Sequence, residues 1–389
     1  MLNKTIAGAL LMFVGVAGYI WWSTSPSYAL SLCTNSNMDE EIECIFAVIE
    51  ERVDEEGLSA GYEVFTEAYK SLDSFIATGC HIHAHRMGDI AYYRLLRGDP
   101  QLESIEFLQE TTACGYGFYH GLMEHLIQDN SDPGFVTQTC EYLKDTYRAR
   151  MKDIGIICYH GSGHGLMLAH AENISPDAYG NIRAFSDMPL AQCEALEVAN
   201  TAEIQQCFEG IFNVVVNWMV INQYGFTYNT SRPFSICDEI KKKYQAACIL
   251  EMAQKLDMLS EKDPKKLEQI VSNIQDSQLA LRAFKIGISG IVQQDLRTNS
   301  YHETLSACEK LTEEFERGCI TSIVAGLFAH GLPLEEYIKP LEICSRVFRE
   351  DNQNGRYCFD EVARKSSTLY AVEKRLDICR TFPEELRDV

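Results

Sequence analysis

The sequence predicts an all-α protein, organised as a disulfide-stapled array of helical hairpins that form either an α-solenoid or an α/α-toroid-like ring. Two observations support this prediction. Apolar residues recur at i, i+3 and i+4 over most of the chain, and the strict alternation typical of β-strands is scarce. Fifteen cysteines, all after residue 30, come mostly in pairs whose short spacings suit adjacent helices.

The first element is an apolar run over residues 6–22, with one lysine before it and a polar stretch after it. This pattern is typical of an export signal. Small residues near the end of the region would permit cleavage after Ala29, whereas Trp21 and Trp22 would suit an uncleaved anchor. We therefore interpret residues 1–29 as a signal peptide or a membrane anchor, and predict contact with a membrane only through this segment.

After this segment, amphipathic patterns predict a succession of helices. The clearest patterns cover residues 42–53, 61–75, 102–108, 196–212, 277–293 and 334–348. The β-branched residues 214–216 continue a helical pattern, so we assign them to a helix as well. Loops or helix starts are predicted where proline follows aspartate or serine, at residues 98–100, 131–134, 175–177 and 263–264.

The cysteines form six short-range pairs at spacings that would join the two helices of a hairpin. These pairs are Cys33 with Cys44, Cys140 with Cys158, Cys193 with Cys207, Cys237 with Cys248, Cys308 with Cys319, and Cys344 with Cys358. Cys80 and Cys114 would then pair with each other, which leaves Cys379 unmatched. Disulfides in this number require an oxidising compartment, so we predict an extracytoplasmic location: the periplasm, the cell surface or the secreted state.

A cysteine-free stretch, residues 249–307, contains a polar segment that begins at Ser260. We predict a boundary there between a histidine-rich helical domain, residues 30–259, and a C-terminal helical scaffold, residues 260–389. The net charge of −22 is spread along the chain and would repel polyanions. Nucleic acid is therefore excluded as an expected partner.

Histidines concentrate in three segments of the first domain, which begin at Cys80, Cys114 and Cys158. In the second and third segments the cysteine is followed, six residues later, by His-Gly-Leu-Met at residues 120–123 and 164–167. The first segment is a diverged copy of the same pattern. Such a repeat is too specific to arise from composition.

Each segment, if helical, carries two side chains that can ligate a metal, four residues apart on one face. These candidate ligands are His81, His85, His120, Glu124, His160 and His164. Five imidazoles and one carboxylate can hold one or two transition-metal ions, and copper, zinc and iron all accept imidazole. The glycines among these residues indicate close approach of helices or of a ligand to the backbone. If the segments are loops instead, the spacing loses its meaning.

Other residues are weaker candidates for the same site. Asp89 could accept a hydrogen bond from a ligand ring, and His125, Met123 and Met167 lie beside the main set. Haem is a second candidate cofactor, because paired histidines can bind it axially although no Cys-x-x-Cys-His motif is present.

These features predict an exported metal-binding protein that could act as an oxidoreductase or a hydrolase. An open coordination position would let the metal activate water or dioxygen for a small-molecule substrate, with Tyr116, Tyr119 or Tyr159 lining the pocket. The alternative is a non-catalytic scaffold that binds a protein partner and uses its histidines for helix packing. Convergence of the three histidine segments would favour the metal, and dispersal would favour the scaffold.

Overall fold

The structure is a computed structural model that describes residues 25–387, apart from 34–36, 99–101, 150, 199 and 299. These residues are mostly helical and contain no β-strand, so the all-α prediction is confirmed. The predicted signal or anchor, residues 6–22, lies outside the described residues. Among the helices that the structure describes, none combines the length and the apolar character needed to cross a membrane.

The described residues up to Thr78 form one compact unit. Its helices are α1 (Pro26–Ser31), α2 (Met38–Glu56), α3 (Leu58–Ser71) and α4 (Asp73–Thr78). The pattern over residues 61–75 predicts one helix, but the extended backbone of Leu72 divides it in two. This break brings Phe75 against Phe46 and Phe65, with ring centroids 5.8 Å and 5.7 Å apart, in an aromatic core.

The described residues from Gly79 onward form a second compact unit. Its helices are α5 (Cys80–Ala91), α6 (Gly117–Asp129), α7 (Pro133–Tyr147), α8 (Ile154–Ala171), α9 (Ile182–Glu194), α10 (Thr201–Ile221), α11 (Gln245–Ala253), α12 (Leu256–Ser260), α13 (Pro264–Val271), α14 (Ser277–Thr298), α15 (Tyr301–Cys308), α16 (Glu313–His330), α17 (Ile338–Glu350), α18 (Asn352–Leu369) and α19 (Val372–Arg380). Helices α7 and α13 begin at the predicted Asp-Pro sites, where Asp132 and Asp263 cap the first turn.

The helices of the second unit pack in a regular succession. α5 packs on α6, α6 on α8, α8 on α10, α10 on α11, α11 on α14, and α14 on α16. α16 in turn contacts the short helical segment Cys114–Tyr116, which leads directly into α6. Phe284, Ile323 and Val362, on α14, α16 and α18, are fully buried in the core of the C-terminal part. The predicted boundary near Ser260 falls within this unit and stays a prediction.

Three predicted helices begin later than expected or do not form. Of the predicted helix over 102–108, only Leu102–Ser104 forms a short 3-10 helix; beyond it Ile105 and Phe107 are buried on either side of the exposed Glu106, an alternation foreign to a helix. α10 begins at Thr201 rather than at residue 196, because the side chain of Asn200 caps the helix at that point. α17 begins at Ile338 rather than at 334, since Leu334 has a left-handed backbone conformation with φ of 66°.

The described residues contain seven disulfides, which confirm the predicted pairs. They join Cys33 to Cys44, Cys80 to Cys114, Cys140 to Cys158, Cys193 to Cys207, Cys237 to Cys248, Cys308 to Cys319, and Cys344 to Cys358. Cys379 is free, as expected. Disulfides in this number indicate an oxidising, extracytoplasmic environment.

Candidate metal centre

The three cysteine-led segments are helical where they carry their candidate ligands. The side chains lie four residues apart on α5, α6 and α8, as His81 and His85, His120 and Glu124, and His160 and His164. One exception to the predicted helices precedes α6, where Cys114–Tyr116 is a short 3-10 turn with Gly115 at φ of 61°. The predicted spacing on one helix face therefore holds for all three pairs.

Glycines bring the three helices into backbone contact. A side-chain carbon at Gly121 of α6 would overlap the carbonyl oxygen of His85 on α5. One at Gly165 of α8 would lie 2.8 Å from the carbonyl oxygen of Glu124 on α6, closer than real Cβ atoms approach. The glycines are thus explained by the close approach of helices, and this approach brings the ligand pairs together.

The imidazoles of the three helices converge. The ring centroid of His120 lies 5.0 Å from that of His81, 4.9 Å from that of His160 and 5.1 Å from that of His164. One ligand atom from each of His120, His160 and His164 falls within 4.8 Å of the other two, a spacing that could accommodate a metal ion between them. Convergence was the geometric outcome expected for a metal site rather than for a scaffold.

A carboxylate lies beside these rings and forms a second possible ligand group. Glu124 Oε2 lies 3.2 Å from His85 Nε2 and 3.5 Å from His164 Nδ1, and ligand atoms of the three residues fall within 4.8 Å of one another. The other ring nitrogen of His164, Nε2, is buried and finds no hydrogen-bond partner among the described residues. Buried polar atoms rarely lack a partner, so this nitrogen is consistent with a missing ligand.

Neighbouring groups hold two of the rings in orientations suited to metal binding. His81 Nδ1 donates to the carbonyl oxygen of Cys114 at 2.9 Å, which leaves the lone pair on Nε2. His85 Nδ1 lies 3.5 Å from Asp89 Oδ1, and the same oxygen lies 3.3 Å from His125 Nε2. Asp89 and His125 therefore lie beside a candidate ligand ring, and their roles in metal binding stay predictions.

Burial keeps most of the imidazoles neutral. It lowers the pKa of His81 to about 4, with a further contribution from the nearby His85, and it lowers the pKa of His120 and His160 well below the usual value, together with the surrounding imidazoles. Neutral imidazole is the form that binds a metal. These rings are thus available as ligands near neutral pH without first losing a proton.

His85 and Glu124, by contrast, are held in their charged forms. Burial opposes the charge on His85, but hydrogen bonds to Asp89 and Glu124 outweigh it and raise the pKa of His85 to about 10. Burial also opposes the charge on Glu124, but His164 and His85 lower the pKa of this carboxyl strongly. A metal ion that binds His85 would therefore displace a proton from it.

The three tyrosines predicted to line a pocket have other contacts. The hydroxyl of Tyr119 lies 2.9 Å from Thr111 Oγ1, and that of Tyr159 donates to Glu141 Oε1 at 3.2 Å. Tyr116 packs against the C-terminal core. These contacts give each tyrosine a structural role, and a place beside a metal stays a prediction.

The methionines are equally well explained by packing. Met123 and Met167 are fully buried. The Met123 sulfur lies 3.9 Å from the sulfur of Cys158, and therefore contacts the disulfide of that cysteine. Their role as ligands also stays a prediction.

Two carboxylates that the sequence analysis missed lie next to the histidines. Ligand atoms of Glu209 on α10 and Glu251 on α11 fall within 4.8 Å of one another and of a His160 ring nitrogen, and all three residues are buried. A signal was present in the sequence. Residues 158–161 read Cys-Tyr-His-Gly and residues 207–210 read Cys-Phe-Glu-Gly, so Glu209 takes the position of His160 in a further copy of the repeat.

His330 also lies near the site, although the sequence patterns did not predict it there. It ends α16, and burial together with the nearby His81 lowers its pKa to about 3. The repeat also extends to this helix, because Cys319 is followed seven residues later by Gly326 and Leu327, as in the second and third histidine segments. α16 is therefore a copy that lacks the central histidine and brings a different one near the site.

The donor set can hold one or more divalent ions through imidazole and carboxylate groups. In comparison with known proteins, the chain matches no family model, no curated protein and no solved structure. Its function therefore has to be inferred from the residues of the site.

Proposed function

We propose that the chain is an extracytoplasmic protein that binds a transition metal in the imidazole cluster, a name that we give to His85, His120, Glu124, His160 and His164. The convergence of imidazoles from three helices carries this proposal. Packing neutral rings around a buried, unpartnered nitrogen is unfavourable unless a ligand compensates, since a buried polar atom without a partner costs about 1–3 kcal/mol. A bound metal ion would supply the missing partner.

The donor types favour zinc, iron(II) or copper(II) over copper(I). The cluster offers imidazole and carboxylate but no thiolate, because the neighbouring Cys80, Cys114 and Cys158 are held in disulfides. Copper(I) prefers softer ligands, whereas zinc and iron(II) accept this mixture. We favour a bare ion over haem, because rings whose centroids lie 4.9–5.1 Å apart leave no room for a porphyrin between them.

The cluster is accessible from one side. The side chains of His85 and Glu124 are 27% and 21% exposed, whereas His164 is only 5% exposed. A substrate would therefore approach the metal past His85 and Glu124. A bound ion would supply Lewis acidity and lower the pKa of a coordinated water. This arrangement supports hydrolysis or oxidation of a small molecule.

We also propose that the second unit is a closed ring of helical hairpins and that residues 1–29 direct export. The ring is supported by the succession of helix contacts from α5 to α16 and by the contact of α16 with Cys114–Tyr116 at the start of that succession. Export is supported by the seven disulfides, which require an oxidising compartment.

Metal binding can be tested by elemental analysis of protein that is purified without an affinity tag, incubated with zinc or with iron(II), and dialysed to remove unbound metal. The parent should retain at least one ion per chain, and a His120→Ala, His164→Ala variant should lose it. His302→Ala serves as the matched control, since His302 lies on α15, outside the cluster. A parent that retains no metal, or a double variant that retains as much as the parent, would contradict the proposal and favour the scaffold.

A further inference from the structure

We infer a second metal position, formed by His160, Glu209 and Glu251, that takes a divalent ion such as zinc, manganese or iron(II). This inference rests on the proposed function, since it extends the imidazole cluster into a centre for two ions. The three residues come from α8, α10 and α11, and their ligand atoms lie within 4.8 Å of one another. Two carboxylates and one imidazole are hard donors of the kind that these ions prefer.

The carboxylates are buried with little compensating charge. Glu209 and Glu251 are 7% and 3% exposed. Arg282 lies 3.8 Å from Glu209 Oε1, but its side chain is 58% exposed, and Lys255 acts on Glu251 only through longer-range electrostatics. Two buried carboxylates whose oxygens lie within 4.8 Å of each other repel one another when both are ionised, unless a cation lies between them. A divalent ion would satisfy both.

Amide side chains orient the two carboxylates. Gln206 Nε2 donates to Glu209 Oε2 at 2.6 Å, and Asn213 Nδ2 donates to Glu251 Oε2 at 2.7 Å. Gln254 also donates to Glu251 Oε2, so that Oε1 can face an ion. Outer hydrogen bonds of this kind fix ligands in metal sites, and they act here on both carboxylates.

Glycines hold α8 and α10 close enough for the position to form. A side-chain carbon at Gly210 would overlap the carbonyl oxygen of His160, and one at Gly163 would overlap the carbonyl oxygen of Cys207. Each glycine within a helix costs about 1 kcal/mol relative to alanine. The backbone contact that they permit brings Glu209, the residue next to Gly210, beside His160.

The second position shares no ligand with the group of His85, Glu124 and His164. The two groups can therefore be occupied at the same time. The ring of His120 lies 4.9 Å from His160 and 5.1 Å from His164, and so adjoins one residue of each group. Two ions held side by side can polarise a substrate and activate a nucleophile together.

The experiment is a zinc titration of chelator-treated, full-length protein with its disulfides intact, followed by removal of free zinc and elemental analysis. Zinc is the probe because it has no redox chemistry that would affect the disulfides. We expect two ions for the parent, one for Glu209→Gln, Glu251→Gln, and one for Glu124→Gln. Glu268→Gln is the matched control, because Glu268 is a buried carboxylate elsewhere in the fold (6% exposed), and it should retain two.

The outcomes separate this inference from the proposed function. A single ion in the parent that is lost in Glu124→Gln, or a Glu209→Gln, Glu251→Gln variant that still binds two, would overturn the second position and leave the imidazole cluster in place. A parent that binds none would overturn both. If circular dichroism shows that the double variant does not fold, the single variant Glu251→Gln replaces it in the same zinc titration. We then expect its second zinc ion to bind more weakly than in the parent. Two zinc ions bound as tightly as in the parent would overturn the inference.

Discussion

Single residues around His85 differ in how directly they would act on a metal. Glu124 contacts His85 and His164, and is itself a candidate ligand. Asp89 contacts His85 from the other side of the ring and also contacts His125, so it orients a ligand without belonging to the three-residue ligand groups. Substitution of Asp89 therefore tests the role of His85 with less disturbance than removal of the ring.

Asp89→Asn should weaken zinc binding by about 10- to 100-fold, because it removes the carboxylate that orients the His85 ring. Competition with a coloured chelator would measure the affinity. Asp187→Asn is the control, since Asp187 pairs with Arg183 on the exposed face of α9. Equal affinities for the two variants would show that Asp89 does not orient a metal ligand.

The metal-free protein should lose stability as the pH falls below 6.5. His81, His120 and His160 have lowered pKa values in the folded state, so the unfolded chain takes up their protons first. As the pH falls below 6.5, each such imidazole should lower the free energy of unfolding by about 1.4 kcal/mol per pH unit. For His81 this loss should continue until the pH reaches its folded pKa of about 4. Their contribution is complete above pH 6.5 and does not change further in the alkaline range.

His85 contributes with the opposite sign. Its folded pKa is raised to about 10, so the stability from its contacts with Asp89 and Glu124 is complete below 6.5 and is lost as the pH rises towards 10. Urea unfolding of chelator-treated protein at a series of pH values would measure both limbs. His81→Gln should flatten the acid limb, and an unchanged slope would show that His81 titrates normally in the folded protein.

Among the helices, α8 is the one on which the site depends most. Residues 157–167 of this helix are all buried, as expected for a helix surrounded by others. Gly161 and Gly165 face α6, and Gly163 faces α10. α8 thus carries candidate ligands, His160 and His164, and its glycines permit backbone contact with α6 on one side and with α10 on the other.

Gly163→Ala should destabilise the protein by about 1–3 kcal/mol, although alanine is the better helix former, because the added carbon would overlap the backbone of Cys207. It should also weaken zinc binding by moving α10 away from His160. Gly318→Ala on α16 is the control, since its new carbon would meet only the flexible ends of Leu281 and Lys285. Thermal unfolding of both variants measures the difference, and a Gly163→Ala variant as stable as the control would contradict the close contact.

In the molecule as a whole, the disulfides differ in their distance from the site. Cys80 and Cys114 join the start of α5, one residue before His81, to the segment that precedes α6. Cys344 and Cys358 join α17 and α18 in the C-terminal part. Both bonds stabilise the fold, but only the first holds two ligand helices in register.

Replacing either pair by alanine should cost about 2–4 kcal/mol of stability. Zinc affinity should fall in the Cys80→Ala, Cys114→Ala variant and stay at the parent level in Cys344→Ala, Cys358→Ala. Chemical denaturation measures the first effect and chelator competition the second. Equal zinc affinities in the two variants would mean that the Cys80–Cys114 disulfide stabilises the fold without contributing to metal binding.

Local patterns were sufficient to predict the helical class, the seven disulfides and the placement of paired candidate ligands on α5, α6 and α8. Each of these features is a matter of spacing along the chain: apolar periodicity, cysteine separation, or residues one helical turn apart. At residues 105–108 the predicted helix did not form, and Ile105 and Phe107 are buried on either side of the exposed Glu106.

The meeting of Glu209 and Glu251 with His160 depended on the tertiary structure. In the sequence, each glutamate lies in a helical pattern, and only the repeat that aligns Glu209 with His160 sets one of them apart. Only the packing of α10 against α8 and α11 buries these side chains and brings their oxygens to a histidine on another helix. Contacts between distant parts of a chain depend on how helices pack as bodies, and the spacing of residues within one helix does not specify that packing.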